Sequence, residues 1–142
     1  MKRFILACLA AAALPLSASA AELASLTVTV EGVSGNGGNL RVGLFDRQAF
    51  PVRGARPVNG RVLPAQAGEM TVLLEGIVPG DYAVKVLDDE NADGKMNFTL
   101  GMIPAEPYGF SNDAKAAGGP PAWNDAKFTV KPGANSVTIH LH

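Results

Sequence analysis

This chain predicts an all-β sandwich, and three observations predict it. Apolar residues recur at every second position through most of the sequence, the pattern of half-buried strands. Clusters of Gly, Pro, Asn, Asp and Ser punctuate those runs as turns. Helix signals are nearly absent, apart from one possible turn over Asp46–Val52 that Pro51 would stop.

Taken in order, SLTVTVEGV sends Leu26, Val28 and Val30 to one face and Thr27, Thr29 and Glu31 to the other. SGNGG supplies turn residues with ready access to positive φ. NLRVGLF then turns Leu40, Val42 and Leu44 inward, and a piece around Val58 to Leu63 adds a seventh strand. EMTVLLEGI contributes Met70, Val72 and Leu74, and DYAVKVL contributes Tyr82, Val84 and Val86. AKFTV adds Ala126, Phe128 and Val130. The last run, SVTIHLH, points Val137, Ile139 and Leu141 inward and leaves Thr138, His140 and His142 outside. Six or seven such strands joined by polar turns give an antiparallel sandwich with one buried face per sheet. Tyr82 opens its strand directly after Pro79-Gly80. That placement fits the tyrosine corner of immunoglobulin-like sandwiches, or else an ordinary half-buried strand tyrosine.

The first twenty residues stand apart. MKR, the apolar run FILACLAAAALPL and Ala18-Ser19-Ala20 read as a secretory signal cut after Ala20, leaving one domain, 21–142. The run is short of the roughly 20 residues that span a bilayer. Cys8 offers a rival reading as a lipid-modified cysteine, although most of the apolar run follows it. Cleavage would remove Lys2, Arg3 and the one cysteine. Ten Lys and Arg then face thirteen Asp and Glu, a net charge of −3. With no cysteine, stability rests on an apolar core or a bound ion. A mildly acidic chain without a basic cluster argues against nucleic acid, and no second apolar segment argues for a transmembrane span. The expected location is the periplasm or beyond.

Asp88 to Asn124 is too long for a structureless connection, which rarely exceeds about 12–15 residues. It carries Phe98, Ile103, Tyr108, Phe110 and Trp123, so it must pack on something. Its opening, DDENADGKMNF, matches part of the calcium-loop pattern: Asp89, Asn91, Asp93 and Gly94 fill positions one, three, five and six. Lys95 would offer its carbonyl at position seven, and Asn97 falls at position nine. Leu100 stands where the bidentate Glu belongs, which excludes the helix-flanked form; Glu106 or Asp88 would have to close the shell. The other reading is a tight turn in which the same Asp and Asn side chains cap backbone N–H groups and no ion is needed.

Other chemistry is thin. His140 and His142 face the same way on one strand but lack a visible third ligand. No nucleophile elbow accompanies the serines, and four acids beside one loop suit cation binding better than acid/base catalysis, so no enzyme is expected. EPYGFSN sets Tyr108 and Phe110 about Gly109, with Asn112 beside them. These are either a shallow ligand patch or anchors that pin the long segment down.

GNLRVGLFDRQAF, VPGDYAVKVLDDENADGKMNFTLGMIPAEPYGFSN and PAWNDAKFTVKPG together resemble a bacterial domain-of-unknown-function family, number 2141, over nearly all of residues 24–142. The resemblance implies a secreted, seven-stranded sandwich similar to transthyretin-like or collagen-adhesin B-type modules, with no established activity. Where family loops carry Asp, this chain has the neutral Asn97. The leading expectation is therefore a non-catalytic envelope domain whose loop takes calcium and so presents Glu106–Asn112 to an envelope protein or small ligand. The alternatives are a carbohydrate, peptide or small-ligand carrier using the aromatic loop itself, and an unrecognised hydrolase.

Overall fold

In the computed structural model, which describes residues 19–142, the alternation becomes burial. Leu26, Val28 and Val30 are fully buried while the residues between them are partly exposed. The strands are β1 (Ala24–Val33), β2 (Asn39–Phe45), β3 (Asn59–Pro64), β4 (Gly68–Ile77), β5 (Gly80–Asp89), β6 (Phe98–Thr99), β7 (Ile103–Pro104), β8 (Tyr108–Phe110), β9 (Phe128–Val130) and β10 (Gly133–His140). A 3-10 turn covers Ser111–Asp113, and one short helix, α1, covers Trp123–Ala126. The expected signal segment lies almost wholly outside the described residues, and among these no helix is long and apolar enough to cross a membrane.

One sheet has the order β10-β1-β4 and the other β3-β2-β5-β8, with β9 also on β5 and β6 paired with β7 as a separate hairpin. The core lies between the sheets: Leu26, Val28, Val30, Val72, Leu74 and Ile139 from the first meet Leu40, Val42, Leu44, Val84 and Val86 from the second. Each fully buried Leu, Val or Ile contributes about 1.5–3 kcal/mol relative to exposure. β3 is largely exposed, as an added edge strand should be.

The purely antiparallel expectation is corrected at one edge. β10 runs parallel to β1, from Ala24 opposite Gly133 to Glu31 opposite His140. β9 belongs with β5, and only Lys131 and Pro132 separate it from β10, so the chain changes sheets there and comes alongside β1 in the same direction. Alternation looks the same in either orientation, so the pattern carried no warning. The three strands beyond the seven expected, β6, β7 and β8, are two- and three-residue pieces inside the long Asp88–Asn124 segment. Ala126 is buried as expected but ends α1 and not a strand.

Two local readings hold. The Tyr82 hydroxyl donates to the Val78 carbonyl at 2.7 Å, which makes it the tyrosine corner. Asp46 starts the single helical turn: its Oδ1 accepts from the Gln48 and Ala49 N–H groups, and its carbonyl accepts from Phe50 N–H. That turn drops Phe50 onto the outer face of the second sheet. There it forms a small second core with Phe45, Ala83 and Ala126, edge-on to Trp123 at 5.8 Å and to Phe110 at 6.2 Å. Ser111 fixes the returning chain to β5, accepting from Val84 N–H at 2.9 Å and donating to the Ala126 carbonyl.

Ser111→Ala leaves a buried N–H and a buried carbonyl without partners and is expected to cost about 2 kcal/mol in urea denaturation. Tyr82→Phe, which loses one peripheral bond, should cost about 1 kcal/mol. Equal small losses would mean that Ser111 does not hold the segment to the sheet.

Candidate functional site

Strand alternation at the end of β5 separates two neighbouring acids. Asp88 continues the inward face of Val84 and Val86, fully buried, and its Oδ2 accepts from Ser34 N–H at 2.8 Å in the β1–β2 turn. Asp89, equally buried, points to the outer face. Its Oδ1 accepts from Asp93 N–H at 3.1 Å and its Oδ2 from Gly94 N–H at 2.8 Å, with the Arg41 guanidinium 3.6 Å away. Gly94 allows this wrap because it holds φ at 83°, a left-handed conformation that side chains resist. Gly38 matters for space: a Cβ there would stand 2.0 Å from the Asp89 carbonyl oxygen, so only glycine lets the β1–β2 turn lie against the loop.

The loop then closes on itself. Asn91 Oδ1 accepts from Asp93 N–H, and Asp93 Oδ1 accepts from Lys95 N–H at 3.0 Å. Asn97 Nδ2 donates to Asp93 Oδ2 at 2.9 Å, while Asn91 Nδ2 reaches Asn97 Oδ1 at 3.2 Å. The Asn97 amide, foremost, and the Lys95 N–H hold the Asp93 carboxyl below its ordinary 3.8. Asn97 N–H donates to Glu106 Oε2 at 3.2 Å. Glu106 is buried, and its other oxygen, Oε1, has no partner among the described residues. The bond from Asp88 N–H to the Pro107 carbonyl carries the β5–β8 pairing one residue past Leu87 opposite Tyr108, and Glu106 follows at the bend beyond it.

Of the expected ligands, then, Asp89, Asn91, Asp93, Asn97 and Glu106 gather at one loop, and Lys95 joins through its N–H, which donates to Asp93, and not through the expected carbonyl. Asp88 does not: it lies on the opposite face of the strand. Among the described residues no three Asp, Glu, His or Cys side chains form a metal-holding group, so the gathering is a mixed set of carboxylates and amides. Arg41 and Ser34 were not foreseen. Arg41 alternates outward between Leu40 and Val42, but only the pairing of β2 with β5 brings it to Asp89.

The aromatic pair is divided in its loyalties. Tyr108 and Phe110 meet edge-on at 5.8 Å, yet Phe110 also packs into the second core, as the anchor reading expects. Asn112 acts as a clamp, its Nδ2 donating to the Asp125 and Lys127 carbonyls. A cleft of about 300 Å³ runs beside the pair, lined by Tyr108, Phe110, Asp113, Lys115 and His142. The His140 ring is engaged, Nδ1 bonding Asp113 Oδ2 at 2.8 Å and Nε2 lying 3.2 Å from Glu31 Oε2, while His142 pairs with Tyr108 through its backbone. Ser111 sits two residues from Asp113, but its hydroxyl is committed to Val84 and Ala126, so no Ser-His-Asp relay forms there.

The profile of a family described as uncharacterized and conserved in bacteria, DUF2141, matches residues 28–138. The chain belongs to this family. No curated protein matches it. Among solved structures, the pilus-presented adhesin Spy0125 (Cpa) is similar at 10% identity and a TM-score of 0.33, over 85% of this chain and 26% of the adhesin chain. The chain thus spans about a quarter of that relative's length.

In this DUF2141 member the His140 contacts set a sign for pH dependence. The bond to Asp113, then the charges of Asp113 and Glu31, raise His140 above its ordinary 6.5. Burial pushes the Asp113 carboxyl up, but the His140 N–H and ring outweigh it and hold it below 3.8. A raised His stabilises below its unfolded pKa, and that stabilisation is lost as pH climbs through the raised value. His140→Gln should therefore be less stable than wild type at about pH 6, with the gap closing by about pH 9. Parallel urea melts check this; a gap independent of pH would show that the imidazolium contributes nothing.

Proposed function

We propose that the chain is a non-catalytic module of the bacterial envelope, exported by its first twenty residues, in which calcium orders the 88–106 loop. One observation carries the reading: Asp89 and Glu106 are both buried at this loop, and among the described residues Glu106 Oε1 has no partner, as is also true of Asp88 Oδ1 on the other face of β5. Burying ionised carboxylates is costly unless positive charge lies close. The partly exposed guanidinium of Arg41 supplies one such charge, to Asp89. A hard cation that tolerates irregular oxygen geometry supplies the rest, and calcium is that cation. Asp89, Asn91, Asp93, Asn97, Glu106 and the Lys95 carbonyl are the donors on offer. With amides in place of some carboxylates, affinity falls in the range of extracellular modules, on the order of 10⁻⁴–10⁻³ M.

A tenfold excess of calcium over its dissociation constant adds about 1.4 kcal/mol. For a domain of this size that raises Tm by roughly 5 °C. Asp93→Ala and Glu106→Gln should each abolish the rise. A Tm equal in about 10 mM calcium and in chelator overturns the proposal and leaves a loop held by its own hydrogen bonds.

The cleft beside Tyr108 favours a second reading, a small-ligand or carbohydrate carrier. Tyr108→Ala would then abolish ligand retention at unchanged stability. Phe110 is a poorer probe because its ring also packs against Phe50. The hydrolase reading gains nothing from Ser111, whose hydroxyl faces inward.

A further inference from the structure

Between Asn97 and Glu106 the chain forms a feature that calcium does not explain. The β6–β7 hairpin carries Leu100 at 87% exposure, Met102 at 83%, Ile103 at 57% and Phe98 at 38%. Single exposed apolar residues are ordinary; four on one short finger are not. No charged residue lies between Phe98 and Ala105. The backbone makes the choice of leucine odder still. Leu100 and Gly101 have φ of 53° and 72°, and Met102 N–H donates to the Thr99 carbonyl at 3.3 Å. Asn, Asp or Gly adopts that left-handed position with little strain, whereas leucine does not. An apolar side chain is thus held at the tip against both hydration and backbone preference.

The finger is firmly footed. Ala105 N–H donates to the Asn97 carbonyl at 2.9 Å, and Asn97 N–H donates to Glu106. Beside it lies the 46–57 segment, whose Arg53 guanidinium stacks 5.3 Å from the Phe98 ring centre. Arg47 and Arg56 are exposed on the same segment, against one acid, Asp46, which is engaged in capping. Val52 adds another exposed apolar side chain.

We propose that this hairpin is a wedge that docks the module on an anionic lipid surface. Leu100, Met102 and Ile103 would enter the boundary between headgroups and acyl chains, and Arg47, Arg53 and Arg56 would meet lipid phosphates. A proteinaceous pocket would accept the apolar tip but has no need of the Arg53 cation held beside it or of the exposed Arg47 and Arg56 on the same segment; an anionic bilayer uses both features. Such a short wedge gives reversible attachment and does not span. The proposal stands apart from the calcium reading and holds in chelator.

Co-sedimentation of the purified protein with vesicles tests it. In chelator and low salt, the wild type should partition onto phosphatidylglycerol-containing phosphatidylcholine vesicles about tenfold better than onto phosphatidylcholine alone. Leu100→Ser with Met102→Ser should lose about tenfold on the anionic vesicles. Arg53→Gln with Arg56→Gln should lose severalfold there and nothing on neutral ones. Leu100→Asn relieves the backbone, so it should bind less while melting no lower than wild type, which separates lost docking from lost fold. Equal partition onto both vesicle types, or unchanged binding by the serine variant, overturns the proposal. So does a dimer that the serine variant disperses in the absence of vesicle binding; the tip would then be a contact between two copies.

Discussion

The ten residues of β5 are the constraint on which the rest of the molecule depends. β2 pairs with this strand along Ala83–Asp89, while β8 and β9 take successive stretches of it, at Lys85–Leu87 and Gly80–Tyr82. Its alternation serves two interiors at once. Val84 and Val86 fill the space between the sheets, and Ala83 lines the second core on the outer face. Lys85 sits at the change of character on that outer face. Its ammonium stacks 4.6 Å from the Phe45 ring centre and 5.0 Å from that of Phe50, and burial lowers its pKa. One end of the face is therefore aromatic and the other, at Asp89, is carboxylate.

Asp88 and Asp89 lock different parts of the chain because they point opposite ways. Asp88 holds the β1–β2 turn through Ser34, and Asp89 holds the following loop through Asp93 and Gly94. The two held segments also touch: Asn36 Nδ2 donates to Glu90 Oε1 at 2.9 Å, and Gly38 packs against the backbone of Asp89 and Glu90. A carboxylate accepting backbone N–H groups is among the stronger neutral-to-charged bonds available, roughly twice a neutral one. The pair of acids therefore fixes the start of the long segment before any ion is considered.

The strands were legible because burial of one face leaves a period of two, and Tyr82 was legible because its corner is a local device spanning four residues. The calcium-like spacing was legible for the same reason. What was not legible depends on pairing across distance. Alternation does not carry strand direction, so β10 looked like any antiparallel edge. Arg41 meets Asp89 only through the β2–β5 register, and His140 meets Asp113 only through a contact spanning 27 residues. Asp88 is the instructive case. The alternation that placed Val84 and Val86 inward, continued by one step, already places Asp88 inward and away from Asp89; adjacency in sequence concealed it.

The long segment resolves into pieces that are each tied down. The 90–97 loop folds onto Asp89, β8 pairs with β5, Ser111 bonds Val84, Asn112 clamps the end of α1, and Trp123 lies on Phe50. Each tie lowers the conformational freedom of what it leaves between. Asn112 and Asp113 both sit at positive φ, 59° and 47°, a conformation that Asn and Asp adopt with little strain and that lets the chain turn there. The β6–β7 hairpin is the piece whose ends are fixed and whose tip, among the described residues, stands exposed. A tip ordered in advance loses little entropy when it docks, and a rigid stem transmits the contact to the sandwich. Flexible loops expose apolar side chains by accident; a footed hairpin with a leucine in a conformation leucine resists does so by construction.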